Sequence, residues 1–291
     1  MSTSTNPTPT GSAAASPFDR PVADYMSRSL VSVTADDTVA DADRVMRERH
    51  ISCLLVGGKD GRAAGVISRS DLLRAARALV HATGRQSLLE LPAMCAGDLM
   101  TPRILGVPAT ATVREAARLM VDRRIHRVFV SGPDGDLGRP IGVASTKDLM
   151  RAVLDAKLGT PIEAFMSSPI LSVQGSDAIA DAVRHLQRSR VTGVVVLDGT
   201  QPIGVFTQTE ALEARDLPAA TSVEEAMSQS LLCLPLSTPM FRAAGFAMST
   251  RARRVLATDH HHAKGILTGL DFVRAILSAG ARTPEAAAAA M

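Results

Sequence analysis

Apolar positions along the chain fall into a rhythm that returns four times. A short apolar stretch comes first, at 30–33, 104–107, 170–173 and 231–234. Apolar residues at helical spacing follow: Val39, Ala42, Met46; Val113, Ala116, Met120; Ile179, Ala182, Leu186; Met240, Ala243, Ala247. That spacing predicts an amphipathic helix in each unit, with Asp36, Thr110, Ser176 and Ser237 near its start. Each helix runs out in a basic patch and enters a second strand, at 51–56, 127–130, 191–197 and 253–257. Turn-rich stretches at 57–61, 132–138, 198–201 and 258–264 read as hairpin connections into a third strand. The third strand runs straight into a second helix.

Two phrases mark the ends of each unit. Met followed by Ser or Thr opens it, at Met26, Met100, Met166 and Met227. A Gly, two apolar residues, a hydroxyl residue and an acid three positions later close it: Gly65 to Asp71, Gly142 to Asp148, Gly204 to Glu210 and Gly265 to Asp271. From Met to acid the separations are 45, 48, 44 and 44 residues (71 − 26, 148 − 100, 210 − 166, 271 − 227). The pattern predicts an α/β (α+β) fold of four strand–helix–strand–strand–helix repeats. A unit of about 60 residues is small to stand alone, so neighbours should pair. The break at Gly159-Thr160-Pro161 places the domain boundary. Repeats at about 20–79 and 96–157 make a first pair (20–158), and repeats at about 161–214 and 221–280 a second (159–280). The long stretches 75–96 and 149–161 read as linkers. Residues 1–19, rich in Ser, Thr, Pro and Ala, and 281–291, an Ala run, read as disordered tails.

Composition narrows the function. The 291 residues are 46% hydrophobic and 21% charged, ordinary for a soluble globular chain. A net charge of +3 and interspersed acids disfavour nucleic acid. Eight aromatics (seven Phe, one Tyr) are too few for stacking platforms. No apolar run is long enough to cross a membrane, and the N-terminus lacks a basic start followed by an apolar core, so no secretory signal is expected. Three scattered cysteines, Cys53, Cys95 and Cys233, disfavour a disulfide framework or a Cys-based zinc site and fit a cytoplasmic location. His260-His261-His262 reads as a solvated loop rather than a metal site, Gly57 to Gly61 as a hairpin turn, and the four methionines as packing residues. No nucleophile elbow, phosphate loop or dinucleotide fingerprint is present, so no enzyme activity is expected.

The recurring Gly–apolar–apolar–hydroxyl–x–x–acid junction, with His126-Arg127-Val128-Phe129-Val130 entering a second strand, resembles the CBS domain family over about residues 20–280. Four repeats with no attached enzyme or channel domain are similar in layout to the γ subunit of AMP-activated protein kinase and to stand-alone prokaryotic four-repeat proteins. The resemblance implies pairs packed sheet to sheet, two pairs joined as a disc, and clefts that take adenosine-containing ligands: AMP, ADP, ATP or S-adenosylmethionine. It implies that Asp71, Asp148, Glu210 and Asp271 hold the ribose hydroxyls. Repeat 4 fits the family's pattern best, and Glu210, one methylene longer, fits it least. Ser68, Ser145, Thr207 and Thr268 stand at helix starts, where free N–H groups favour phosphate. His50, His126, Arg127, Arg190, Arg253 and Arg254 are candidates to neutralise phosphate. Val33, Val107, Val173 and Leu234 are candidate adenine walls, and Gly65, Gly142, Gly204 and Gly265 would let a ligand approach the backbone.

No cofactor is expected beyond the nucleotide itself, with or without Mg²⁺. Ligand occupancy would be reported to a regulated protein elsewhere, and monomer and homodimer both stay open. A plainer reading stands beside this one: hydroxyl–x–x–acid is also a capping box, which needs no ligand. The chain would then be an interaction scaffold with empty clefts. A sensor of S-adenosylmethionine, a cyclic dinucleotide or a divalent metal is the third alternative.

Overall fold

A computed structural model describes residues 16–83, 90–189, 191–260 and 262–279. Repeat 1 contains β1 (Ser32–Thr34), α1 (Val39–Glu48), β2 (Cys53–Gly57), β3 (Ala63–Ser68) and α2 (Arg69–Thr83). A short helix, α3 (Ala96–Leu99), leads to repeat 2: β4 (Gly106–Pro108), α4 (Val113–Arg123), β5 (Arg127–Ser131), β6 (Gly142–Ser145) and α5 (Thr146–Asp155). Repeat 3 has β7 (Ser172–Gln174), α6 (Ile179–Arg188), β8 (Gly193–Asp198), β9 (Gln201–Thr207) and α7 (Gln208–Glu213). Another short helix, α8 (Val223–Ala226), leads to repeat 4: β10 (Leu232–Pro235), α9 (Met240–Ser249), β11 (Arg254–Asp259), β12 (His262–Thr268) and α10 (Gly269–Ser278). Among the described residues no helix is long and apolar enough to cross a membrane.

Each repeat builds one three-stranded sheet in chain order. The first two strands are parallel, because a helix carries the chain back between them. The last two form an antiparallel hairpin. The predicted stripe residues of α1, α4, α6 and α9 are all buried. The middle strands are buried on both faces. Leu54 and Val56 of β2, and their counterparts Val128 and Val130, Val194 and Val196, Val255 and Ala257, join the helices in the two hydrophobic cores. Leu55, Phe129, Val195 and Leu256 between them face the other way and are buried too, since the sheet of a partner repeat lies there.

The Met-Ser/Thr phrases do not pack on the repeats they open. Residues 17–27 lie on repeat 2, where Ser27 and Val143 exchange backbone hydrogen bonds of 2.9 Å. Residues 94–101 return the contact to repeat 1, pairing Thr101 with Val66. Repeats 3 and 4 exchange the same segments, pairing Ser167 with Ile266 and Val205 with Ser228. These exchanges tie repeat 1 to repeat 2 and repeat 3 to repeat 4. Two expected boundaries change in consequence. The N-terminal tail ends before Pro17, for Pro17–Asp19 forms a 3-10 turn with Phe18 buried against repeat 2. The linker expected at 149–161 is half helix, as α5 runs to Asp155, and beyond it Leu158 and Thr160 accept hydrogen bonds from Phe241 and Met240 of repeat 4. The linker expected at 75–96 also shrinks, as α2 runs to Thr83; the expected tail at 281–291 lies outside the described residues.

The cores cross the pair boundary. One joins repeat 2 to repeat 4, with Met120, Leu149 and Val153 against Met240, Phe272 and Ile276. The other joins repeat 1 to repeat 3, with Met46, Leu72 and Leu73 against Ile179, Leu186 and Leu212. Ala116, Ala117, Ala152, Ala243, Ala244 and Ala275 let the helices of the first core approach closely. Sheet contacts and helix contacts alternate, so the repeats close a ring in the order 1, 2, 4, 3.

Candidate ligand site at the centre of the ring

The four closing junctions are formed helix caps. The Ser68 hydroxyl donates to Asp71 Oδ2 at 2.6 Å and the Ser68 N–H donates to the same oxygen at 2.9 Å. Ser145 binds Asp148 in the same way at 2.6 and 2.8 Å. The backbone N–H groups of Thr207 and Thr268 donate to Glu210 and Asp271 at 2.9 and 2.6 Å, with both hydroxyls bound as well. The capping chemistry is therefore present in every repeat. The second carboxylate oxygens differ. Asp71 gives its own to Arg74 at 2.6 Å, and Asp271, 1% exposed, gives its own to Arg274. Burial pushes the Asp271 carboxyl above its usual range, against the pull of Thr268 and Arg274. Asp148 and Glu210 are half-buried, and each has one oxygen without a partner among the described residues. The four acids thus differ in what they leave free, Asp148 and Glu210 keeping one oxygen each and Asp71 and Asp271 none.

These junctions meet across the ring. The Ser70 hydroxyl at the start of α2 donates to Gln208 at the start of α7 at 2.8 Å. A Cβ on Gly269 at the start of α10 would stand 2.8 Å from Thr146 Cβ at the start of α5. Basic side chains gather in the same place. Arg127 of repeat 2 donates to Ser52 of repeat 1 at 2.6 Å. Arg254 of repeat 4 donates to Thr192 of repeat 3 at 2.9 Å, and Arg253 donates to Thr209 at 2.9 Å. Gly193 has no side chain because Arg254 lies across it, 2.5 Å from where a Cβ would be.

Arg69, not foreseen from the sequence, completes the group. It is buried and donates to the carbonyls of Ile51 and Met46 at 3.3 and 3.4 Å. Burial, and then the charge of Arg253, lower its pKa. Burial lowers Arg254 to about 10, with Arg253 adding to the fall and Glu210 opposing it. His126 is lowered by burial and then by Arg127 and Arg254. Among the described residues none of Arg69, Arg127, Arg253 and Arg254 has an ion-pair partner. His50 is exposed at a left-handed turn after α1, φ 53°, and Arg190 lies outside the described residues.

Two expectations about the clefts need correction. Val33 and Val173 point into the core shared by repeats 1 and 3, Leu234 into the other, and Val107 packs on it. Each is paired with a core-facing residue of the middle strand, Val33 with Val56, Val107 with Val130, Val173 with Val196 and Leu234 with Ala257, and so shares its face. The cleft between repeats 1 and 2 is lined instead by Val31, Ile51, Cys53, Leu55, Phe129 and Arg127. Its volume is about 70 Å³, below the roughly 300 Å³ at which small-molecule sites begin. The glycines of the junction serve the exchanged methionines. A Cβ on Gly142 or Gly204 would lie 2.5 Å from Sδ of Met26 or Met227, and one on Gly65 2.8 Å from that of Met100. Gly265 is covered by Met166 in the same way.

Known proteins carry the same pattern. The family described as CBS domain matches residues 22–78, 96–155 and 162–216. The chain belongs to the CBS domain family. The fourth CBS repeat is seen in the structure, where β10 to α10 repeat the order of the other three. The fold is similar to the crystal structure of protein MJ1225 from Methanocaldococcus jannaschii, described as a proposed archaeal homolog of γ-AMPK. The TM-score is 0.73 at 16% identity, covering 87% of this chain and 99% of that one. An uncharacterized conserved protein from Pyrococcus horikoshii matches with a TM-score of 0.62 at 18% identity, covering 88% and 99%. In sequence, the CBS domain-containing protein CBSX3, mitochondrial, of Arabidopsis thaliana is 33% identical over 125 residues, 42% of this chain and 55% of that protein. Protein MJ1404 of M. jannaschii is 23% identical over 181 residues, 56% of this chain and 40% of that protein. The chain thus spans about half the length of these two relatives.

Proposed function

We propose that this CBS protein is a non-catalytic regulatory protein that binds adenine nucleotides, AMP, ADP or ATP, around the centre of its ring and reports occupancy to a partner protein. One observation carries the reading: arginines from three repeats converge there, and among the described residues none of them forms an ion pair. Guanidinium charges gathered in one place repel one another, and a phosphate offsets that repulsion, since guanidinium binds it bidentately. Arg127, Arg253 and Arg254, with His126, take the phosphates. Asp148 and Glu210 have the spare oxygens for ribose hydroxyls. The apolar cleft around Val31, Ile51 and Phe129 takes the base once the sheets part. Mg²⁺ would enter only with ATP, and no other cofactor is assigned. Three free thiols support a cytoplasmic setting for this role. Because ligand bridges repeats, it favours one relative placement of them, and that difference is what a partner reads.

The experiment is binding of ATP and of adenosine to the wild type and to Arg127→Ala and Arg254→Ala. Loss of ATP affinity with adenosine affinity kept supports the reading, and equal losses for both ligands oppose it. A scaffold with closed clefts is favoured by a different observation, that all four acids already serve as caps. It predicts no nucleotide binding by the folded protein.

A further inference from the structure

The acids at the four junctions share one cap and differ one turn further on. A carboxylate offers about four lone-pair sites. The cap spends two of them on a single oxygen, because the hydroxyl and the N–H of one residue both donate to Asp71 Oδ2, and likewise to Asp148 Oδ2, Glu210 Oε2 and Asp271 Oδ2. The other oxygen keeps room for two donors. Three residues on stand Arg74, Arg151, Glu213 and Arg274, close to one helical turn away and on the same face as the acid. Arg74 donates to Asp71 Oδ1 at 2.6 Å, and Arg274 donates to Asp271 Oδ1. Both acids are also buried, 7% and 1% exposed.

Arg151 is drawn elsewhere. Its guanidinium lies over the ring of Tyr25, 5.7 Å from the centroid. Tyr25 belongs to the segment before repeat 1 that docks on repeat 2. Burial fixes it there, together with its hydroxyl, which donates to Asp155 Oδ2 at 3.0 Å. In repeat 3 the residue one turn on is Glu213, which when ionised has no hydrogen to donate. Asp148 and Glu210 are therefore half-buried acids whose second oxygen is open among the described residues.

We propose that the residue one turn after each acid selects which repeats hold a nucleotide: Arg74 and Arg274 close repeats 1 and 4, and the chain binds two nucleotides, one at Asp148 and one at Glu210. The inference rests on the function proposed above, in which these acids take the ribose hydroxyls. Two hydroxyls match the two lone-pair sites left on Asp148 or Glu210. At Asp71 and Asp271 they would have to displace a guanidinium, and a neutral hydroxyl replaces its hydrogen bond but not its charge attraction. Each pair thus keeps one open acid and one arginine that spans its two repeats, Arg127 to Ser52 in the first and Arg254 to Thr192 in the second. In the ring order 1, 2, 4, 3 the two open repeats stand opposite each other.

The test is calorimetric counting of AMP sites on the full chain, freed of bound nucleotide. The wild type is expected to bind two AMP. Arg74→Ala frees Asp71 Oδ1 and is expected to bind three. Glu213→Arg supplies the missing guanidinium in repeat 3 and is expected to bind one. Arg151→Ala removes an arginine from the same position, but one that lies on Tyr25, and is expected to stay at two. All three replaced residues are exposed, so the variants are expected to fold, and a merely structural role for Arg74 would change the unfolding midpoint without changing the count. A wild type that binds AMP in any number other than two overturns the selection and leaves the nucleotide site standing. So does Arg74→Ala or Glu213→Arg at the wild-type count, or a third site in Arg151→Ala. A folded wild type that binds no AMP overturns the function proposed above and the selection with it.

Discussion

At Gly142 there is room for a hydrogen atom and nothing larger, because Met26 from the exchanged segment lies on the backbone and Ser27 O would stand 2.9 Å from a Cβ. Gly142→Ala therefore has to move a segment held by two backbone hydrogen bonds. It is expected to lower stability by about 1–3 kcal/mol in urea unfolding. Gly159→Ala, with nothing within 4 Å of the added carbon, is expected to lose none. A result in which both variants match the wild type would show that the exchanged segments do not grip these glycines. The sequence displayed the Met and the Gly at regular distances in all four repeats. It did not show that they touch, since each Met touches the Gly of a neighbouring repeat and never that of its own.

Helices were the most legible elements, and their starts less so. The stripe positions are buried as their spacing predicts, while the caps fall two residues later than expected. Thr38 and Thr112 are the caps of α1 and α4, with Asp41 and Glu115 closing the boxes. Ala178 holds the same place before α6 without a side-chain bond, though Asp181 stands where a box would close. Thr112→Ala is expected to cost about 1 kcal/mol, and Ala178→Ser to gain between roughly 0.5 and 1 kcal/mol. Both are read as shifts of the urea midpoint at constant slope. The faces of the middle strands were not legible. A run such as Val194-Val195-Val196 has no alternation, because both of its faces are covered. Which residues line a cleft then depends on which face of the first strand meets the core, and pairing such as that of Val33 with Val56 is not written in the strand's own sequence. Hence the walls were misplaced, while the hydroxyl–x–x–acid junctions stand at the starts of the second helices as expected.

The four repeats were readable from one chain and their joining as a disc followed from the family resemblance, but which helices meet across the pairs was not readable. All four repeats carry similar apolar stripes, and nothing in a stripe says which other stripe it will meet. The cores make a prediction at this scale. A chain ending at Leu158 leaves Leu149, Val153, Leu72 and Leu73 without the helices that cover them. Such an apolar face invites self-association. The half-chain is expected to run as a dimer or larger species on size exclusion, whereas a well-behaved monomer would argue against cores shared between the pairs.

The central claim is that the unpaired arginines await phosphate. It is tested most directly by thermal unfolding of the nucleotide-free protein with adenosine, AMP, ADP, ATP and GTP, beside Arg127→Ala and Arg254→Ala. A ligand at about 100 times its dissociation constant adds roughly 2.7 kcal/mol per site, a rise of several degrees for a chain of this size. The predicted result is a rise with the phosphorylated adenine ligands that shrinks in both arginine variants, with little change for GTP. No rise with any nucleotide, in protein shown to be folded and free of bound ligand, would contradict it.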